Sequence, residues 1–454
     1  MSAVPGSAGT GALAAPRTSE RVDPSPVIGV REAVAIIVGV VIGAGIFKAP
    51  ALVAGMAGSV EWMLAAWVLG GLISLVGALC YAELATAYPH AGGDYHFLHR
   101  AFGRKVSFLF AWARFAVITT GSIALLGFLF GDYMQQLVPL GPHGSALYAA
   151  AAVGVLAVVN LRGLRMGAMA QNWLTLLEVV GLLLIVLAAL VLVFGGDPVP
   201  APAQAAAAAP PTVAAFGMAM IFVLLTYGGW NEAAYISAEL KDAPGARRRG
   251  RAMVRALMIS IVVITALYLL VNWAYWRGLG IDGMRASDAI AADLLSVAFG
   301  ERGATLIAAL VALAALTSIN ATMIVGARSN YAVGRDWPVL GRLGHWDLAH
   351  GGPRVAMAVQ GAAALLLVLV GALAGGGFRA MVEFTAPVFW LFFLLTGVAL
   401  FVAVCGYMLW SSLSYVSGQD VGGINAAWIG VAVLAVGVAL LAVLSHSTAS
   451  RSPR

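Results

Sequence analysis

Apolar runs of about twenty residues, the length needed to span a bilayer as a helix, recur along nearly the whole chain. They fall at roughly 31–57, 60–85, 106–138, 145–161, 170–194, 213–240, 252–276, 303–331 and 353–374. A longer run covers 380–416 and a last one 424–444. The pattern predicts an all-helical polytopic membrane protein with eleven or twelve spans. The run at 380–416 is too long for one span and short for two with a turn. Residues 287–299 form an amphipathic segment and predict a short helix lying on the membrane surface. Span five carries one polar stripe, because Gln171, Thr175 and Glu178 fall at i, i+4 and i+7.

Between the runs the chain is polar or of low complexity. Residues 1–28 are rich in Ala, Gly, Ser and Pro and read as a cytoplasmic tail. Residues 29–446 form the transmembrane domain, and 447–454 a C-terminal tail. Residues 195–211 are Ala/Pro-rich and read as a flexible loop.

Composition agrees with a bilayer as solvent: 61% of residues are hydrophobic and 10% charged, against about 25% charged in soluble domains. The net charge of +6 sits in short loops. Arg17, Arg21 and Arg31 lie in the tail, and Arg100, Arg104 and Lys105 follow span two. Arg162 and Arg165 follow span four, Lys241 to Arg255 span six, and Arg328 to Arg354 span eight. The alternate loops hold only Arg277, Arg285, Arg302 and Arg379. This asymmetry predicts a cytoplasmic N-terminus in the cell's inner (plasma) membrane.

Cys80 and Cys405 lie in apolar stretches without metal or redox spacing. No P-loop, HExxH or nucleophile constellation is present, so no enzyme, metal or cofactor is indicated. His90, His96 and His99 sit in a basic loop and read as solvated. Glu83 is expected to reach Arg100 or Arg104, and Arg114 to make a structural pair. Nothing points to nucleic acid or to a partner protein.

Two spans break their own helical pattern. In span one, Val41-Ile42-Gly43-Ala44-Gly45 is followed by Phe47, Lys48 and Pro50. In span six, Leu225-Thr226-Tyr227-Gly228-Gly229 is followed by Asn231 and Glu232. Glycine and proline are costly inside a helix. Freed backbone is tolerated at membrane depth only where it lines a cavity or is buried in protein. Interrupted helices at corresponding positions of two halves point to a transporter site. Bare amides suit a carboxylate and bare carbonyls an ammonium, and an α-amino acid carries both.

At these residues the chain resembles the amino acid–polyamine–organocation superfamily, L-type amino acid transporter-like branch. The likeness rests on Gly43-Ala44-Gly45-Ile46-Phe47, on Tyr81-Ala82-Glu83-Leu84, and on Pro89-x-x-Gly92-Gly93-Asp94-Tyr95. Further motifs are Tyr227-Gly228-Gly229-Trp230-Asn231, Ser318-x-Asn320 and Ala327-Arg328. The resemblance implies a leucine-transporter fold of 5+5 inverted repeats, with helices one and six broken, working by alternating access. It implies a substrate carboxylate on the amides of Ala44 and Gly45. The amino group would meet the carbonyls of Val41, Leu225 and Gly228, and Asn231 would hold the sixth helix in register. Ile42, Gly43 and Tyr227 complete the expected binding set, with Glu232, Ser318 and Asn320 as site lining.

The expected cargo is a neutral amino acid, moved by exchange or proton symport. The alternative is a cationic amino acid or polyamine antiporter, which would use Glu232. Many relatives have a lysine where this chain has Glu178, and this chain places Lys48 just after the first break. The simplest expectation is an ion pair between Lys48 and Glu178, as a strut or as a proton-coupled element.

Overall fold

With no water in the hydrocarbon core to satisfy the backbone, a spanning segment must make its hydrogen bonds internally. The computed structural model is accordingly helical nearly throughout. It describes residues 30–88, 93–163, 168–194, 210–229, 246–337, 340–347, 352–416, 420–421 and 424–425. The N-terminal tail, the 195–209 stretch, residues 230–245 and nearly all of the expected last span lie outside the described residues.

The first span is two helices, α1 (Val30–Val41) and α2 (Ala49–Ala57), separated by a single 3-10 turn, Ala44–Phe47. Pro50 sits in the first turn of α2, where its missing N–H costs nothing. Gly58 ends α2 in the left-handed conformation, φ 70°. Next come α3 (Val60–Ala87), capped by the Ser59 hydroxyl accepting from the Trp62 amide, and α4 (Gly93–Phe102). The third span is α5 (Arg104–Ala113) and α6 (Thr120–Leu137), joined through a π-helical turn at Arg114–Thr119. Then follow α7 (Gly144–Leu161), α8 (Ala168–Phe194) and α9 (Val213–Thr226). Helices α10 (Ala246–Ala286) and α11 (Ile290–Asp336) each bend at one residue, Gly280 (φ 67°) and Gly300 (φ 69°). The segment between these glycines is a helical hairpin; its 290–299 arm is helical as expected but does not lie on the surface, since Ile290, Ala291, Ala292, Leu294 and Leu295 are buried in the bundle. The chain continues through α12 (Arg354–Leu373) and α13 (Gly377–Val416), and ends, as described, in two two-residue antiparallel strands, β1 (Asp420–Val421) and β2 (Ile424–Asn425).

Helix α13 resolves the ambiguous run at 380–416. Its backbone is one 40-residue helix with Pro387 inside, about 60 Å long at 1.5 Å per residue. Only Gly377–Leu400 within it meets the length and hydropathy expected of a span.

Among the described residues, seven helices are long and apolar enough to cross a membrane, and Glu178–Phe194 and Val213–Thr226 are shorter apolar helices. Leu72, Val76, Leu183, Leu366 and Leu394 are each more than half exposed. In water such a belt would be costly, whereas lipid solvates it. Close approach inside the bundle depends on small residues. A Cβ on Gly70 would lie 2.3 Å from Val223 Cγ1, and one on Gly71 2.4 Å from Thr265 Oγ1. Helix α3 thereby packs tightly on α9 and α10, which holds the sixth-span break against the bundle.

Candidate functional site

The first break begins where α1 runs out of ladder. Ile42 N–H still reaches Val38 O at 2.8 Å, but Gly43 N–H folds back onto Val41 O at 2.7 Å. Gly43 is then extended (φ −99°, ψ 176°), and the 3-10 turn starts at Ala44. The leading N–H groups of a helical turn have no partner within it, so the Ala44 and Gly45 amides head this short turn. The second break follows Thr226. Gly228 N–H returns to Leu225 O at 3.1 Å, and Gly229 takes φ 107°, open to glycine.

The two breaks lie side by side. A Cβ on Gly45 would stand 3.5 Å from Thr226 Oγ1 and 3.7 Å from Thr226 Cα. Between them sits Tyr268 of α10, fully buried. Its hydroxyl is 3.1 Å from Val41 O and 3.0 Å from Thr226 O, the last carbonyls of α1 and α9. One side chain therefore ties together the C-terminal ends of both interrupted helices. Amides of one turn and carbonyls of two helix ends converge here, which is the polarity that complements a carboxylate beside an ammonium.

A cavity of about 350 Å³ touches the second break at Leu225, Gly228 and Gly229. Its other walls are the π-helical turn and α6 (Arg114, Thr119, Ser122), α11 (Ala321, Thr322, Val325, Gly326) and α13 (Phe389, Phe392, Phe393). Tyr81 and Asp94 close one end, and the Tyr81 hydroxyl donates to Asp94 Oδ1 at 2.5 Å. A π-bulge is a common mark of functional sites, and here it brings Arg114 to the cavity wall.

Val41, Ile42 and Ala44 are buried and Gly43, Gly45 and Leu225 partly so, all at the breaks. Tyr227 is also at a break, but its side chain points the other way. It is fully buried, donates to Trp67 O at 3.0 Å and packs on the rings of Trp67 and Tyr268. Ser318 and Asn320 do not line the cavity, whose α11 wall starts at Ala321. Asn320 instead accepts from Asn160 Nδ2 at 2.7 Å, joining α11 to α7. Asn231 and Glu232 lie outside the described residues.

Lys48 and Glu178 do not pair. Adjacent positions of a 3-10 turn point about 120° apart. Phe47 faces α8, where its ring would be 3.2 Å from a Cβ on Gly181. Lys48 therefore turns away from α8 and toward α6. Its ammonium lies 2.8 Å from Asp132 Oδ2, 2.6 Å from the backbone carbonyl of Asp288 and 3.6 Å from Asp288 Oδ1. Glu178 is buried, and among the described residues it has no salt bridge. Glu83 is exposed and meets neither arginine expected for it. Arg100 lies over the Tyr88 ring, and Arg104 over Trp337 with a hydrogen bond to Asp336 O. His99 shares a hydrogen bond with Ser107, and among the described residues no cluster could hold a metal ion.

Tyr268 and Asp132 were missed from the sequence. A lone tyrosine in an apolar span reads as core. Asp132 carries a signal in the sequence, as an acid at the end of an apolar span, but the family resemblance points to Glu178 instead.

Comparison with known proteins bears on the family and the fold. A family model described as amino acid permease matches residues 28–453. The chain is 30% identical over 383 residues to b(0,+)-type amino acid transporter 1 of Rattus norvegicus, covering 83% of this chain and 75% of that protein. It is 30% identical over 368 residues to Asc-type amino acid transporter 1 of Homo sapiens, covering 78% and 68% respectively. It is 32% identical over 321 residues to large neutral amino acids transporter small subunit 2 of Oryctolagus cuniculus, covering 68% and 58%. Among solved structures, MhsT in complex with L-phenylalanine matches with a TM-score of 0.54 at 14% identity, over 81% of this chain and 87% of that one. The likeness is one of fold, and the fold is that of the leucine transporter.

Proposed function

Because the chain belongs to the amino acid permease family, we propose that this multi-pass amino acid transporter carries neutral amino acids by alternating access, as an exchanger or a proton symporter. The family and its relatives are transporters, not enzymes.

The observation that carries the proposal is the apposition of the two breaks around Tyr268. A substrate carboxylate meets the Ala44 and Gly45 amides. Its ammonium meets the carbonyl ends at Val41, Leu225 and Gly228. Two further features favour a cargo without side-chain charge. The acid in the described cavity wall, Asp94, is held by the Tyr81 hydroxyl, and Arg114 shares the same cavity. The name of the rabbit relative specifies neutral amino acids. The cationic alternative rests on Glu232.

The distribution of arginine among the loops favours a cytoplasmic N-terminus and a place in the cell's inner membrane. On that orientation the turn after α2, the loop between α6 and α7 and the hairpin 281–299 are external. Tyr81, Asp94 and the cavity lie toward the cytoplasm.

The test is uptake of a labelled amino acid panel into proteoliposomes, with and without internal amino acid and a pH gradient. Alanine and leucine are expected to compete with the transported cargo, and lysine, arginine and putrescine to compete weakly. Equal competition by the cations would transfer the assignment to the alternative. Uptake that requires internal amino acid identifies exchange, and uptake driven by a proton gradient identifies symport.

A further inference from the structure

A buried ammonium is tolerated only when paired and hydrogen-bonded. Lys48 meets that condition with groups from two other parts of the bundle, Asp132 on α6 and Asp288 in the hairpin between α10 and α11. Its neighbour in sequence is tied to the same two parts. The Tyr133 hydroxyl donates to Phe47 O at 2.6 Å and accepts from Ala291 N at 3.3 Å. The Asp132 carboxylate is held from a third side by the Ser145 hydroxyl of α7, at 2.5 Å. These polar bonds all gather at one end of the bundle, the end carrying the turn after α2 and the hairpin. The cavity lies in the other half.

The position of Lys48 in the chain gives this arrangement its meaning. It lies three residues past Gly45, on the short turn that heads α2. Any rearrangement of that turn around a substrate carboxylate carries Lys48 with it. The hairpin it holds is bounded by Gly280 and Gly300, both at positive φ, which set it off as a unit from the long parts of α10 and α11.

We infer that Lys48 is a positioning residue for transport: its ammonium latches α2 to Asp132 and Asp288, closes this end of the bundle while the cavity at the other end is present, and releases when this end opens. Asp132 is the stronger partner because its carboxylate is mostly buried, 17% exposed, whereas that of Asp288 is 93% exposed and screened by water and salt. The latch rests on the alternating-access reading above but not on the identity of the cargo.

The full-length protein in nanodiscs, with Cys80 and Cys405 replaced by Ser, tests this with one reporter thiol at a time. Ala292→Cys reports the buried face of the hairpin, and Ala321→Cys reports the cavity. Maleimide labelling is timed without cargo. Lys48→Gln is expected to speed labelling at position 292 and slow it at position 321, each by at least about fivefold, the lower range of a conformational coupling. Asp132→Asn is expected to do the same, Asp288→Asn to do less, and Lys48→Arg to leave both rates near the parent. A latch moves the two rates in opposite directions. Both rates rising together would mean general loosening of the fold, and both unchanged would mean a passive contact; either overturns the inference. Should Lys48→Gln fail to accumulate, Asp132→Asn carries the same test. Added leucine in the parent separates the two readings. No shift with leucine, but opposed shifts with Lys48→Gln, sinks the cargo assignment and leaves the latch standing.

Discussion

The first and sixth spans are both interrupted at glycines, yet glycine does a different thing in each. At the first break neither Gly43 nor Gly45 has a positive φ. At Gly45 the limit is one of size: a Cβ would rest at ordinary contact distance, 3.5 Å, from Thr226 of the other break, and a larger side chain would have to go beyond it. At the second break Gly229 is needed for conformation, since its φ of 107° suits no L side chain well. The same letter in two matching motifs thus answers a packing demand in one and a torsional demand in the other. A motif match alone does not separate these, and the separation decides which substitutions each site tolerates.

The largest effect should come from Gly45→Val. The Cβ alone would meet Thr226 at ordinary contact distance, and valine adds two γ-methyls with a stiff χ1 beside the amides proposed to hold the carboxylate. Uptake should be abolished while surface-inserted protein, measured by blotting the membrane fraction, stays normal. Tyr268→Phe acts on both breaks at once. It removes a hydroxyl from two buried carbonyls, and an unmet buried polar group costs about 1–3 kcal/mol. Uptake should fall by roughly tenfold, with a lower melting temperature in detergent. Full uptake in this variant would show that the breaks hold together without the tyrosine.

Gly229→Ala should be milder, with about 1–2 kcal/mol of left-handed strain, read as a downward shift in melting temperature with residual transport. The smallest effect, and the one that sharpens the contrast most, is Gly45→Ala. Its Cβ would meet nothing closer than 3.5 Å, so most of the uptake should survive. If Ala at position 45 were as damaging as Val, the first break would be torsional after all, and the distinction between the two breaks would fall.

Much of the fold was legible because its cause is written locally. Runs of apolar residues at span length become helices when the solvent is lipid, and the short helix before Gly300 followed from its amphipathic pattern, though not its burial. The breaks were legible because paired glycines are expensive in a helix without a reason. What could not be read was which helices meet. Spacing places Lys48 and Glu178 on faces of their own helices, but it does not say that Phe47 takes the α8 side and leaves Lys48 to α6. Likewise nothing in Leu225-Thr226-Tyr227 says that the tyrosine turns from the cavity to Trp67. The extent of α13 was open for a related reason: length alone distinguishes one long helix from two short ones only when a turn signal interrupts the run, and Pro387 does not supply one.

Tyr268 has a consequence that follows from counting hydrogens. A phenol carries a single O–H, yet two carbonyl oxygens stand within 3.1 Å of it, one from each interrupted helix. The proton can serve only one of them at any instant. The other is left with an unspent lone pair, and which helix holds the deficit can alternate without moving a heavy atom. On the proposed binding mode, a cargo ammonium at this junction would offer a further donor to whichever carbonyl the phenol has left, Val41 O already holding the Gly43 N–H. The two interrupted helices thus share one hydrogen between their ends.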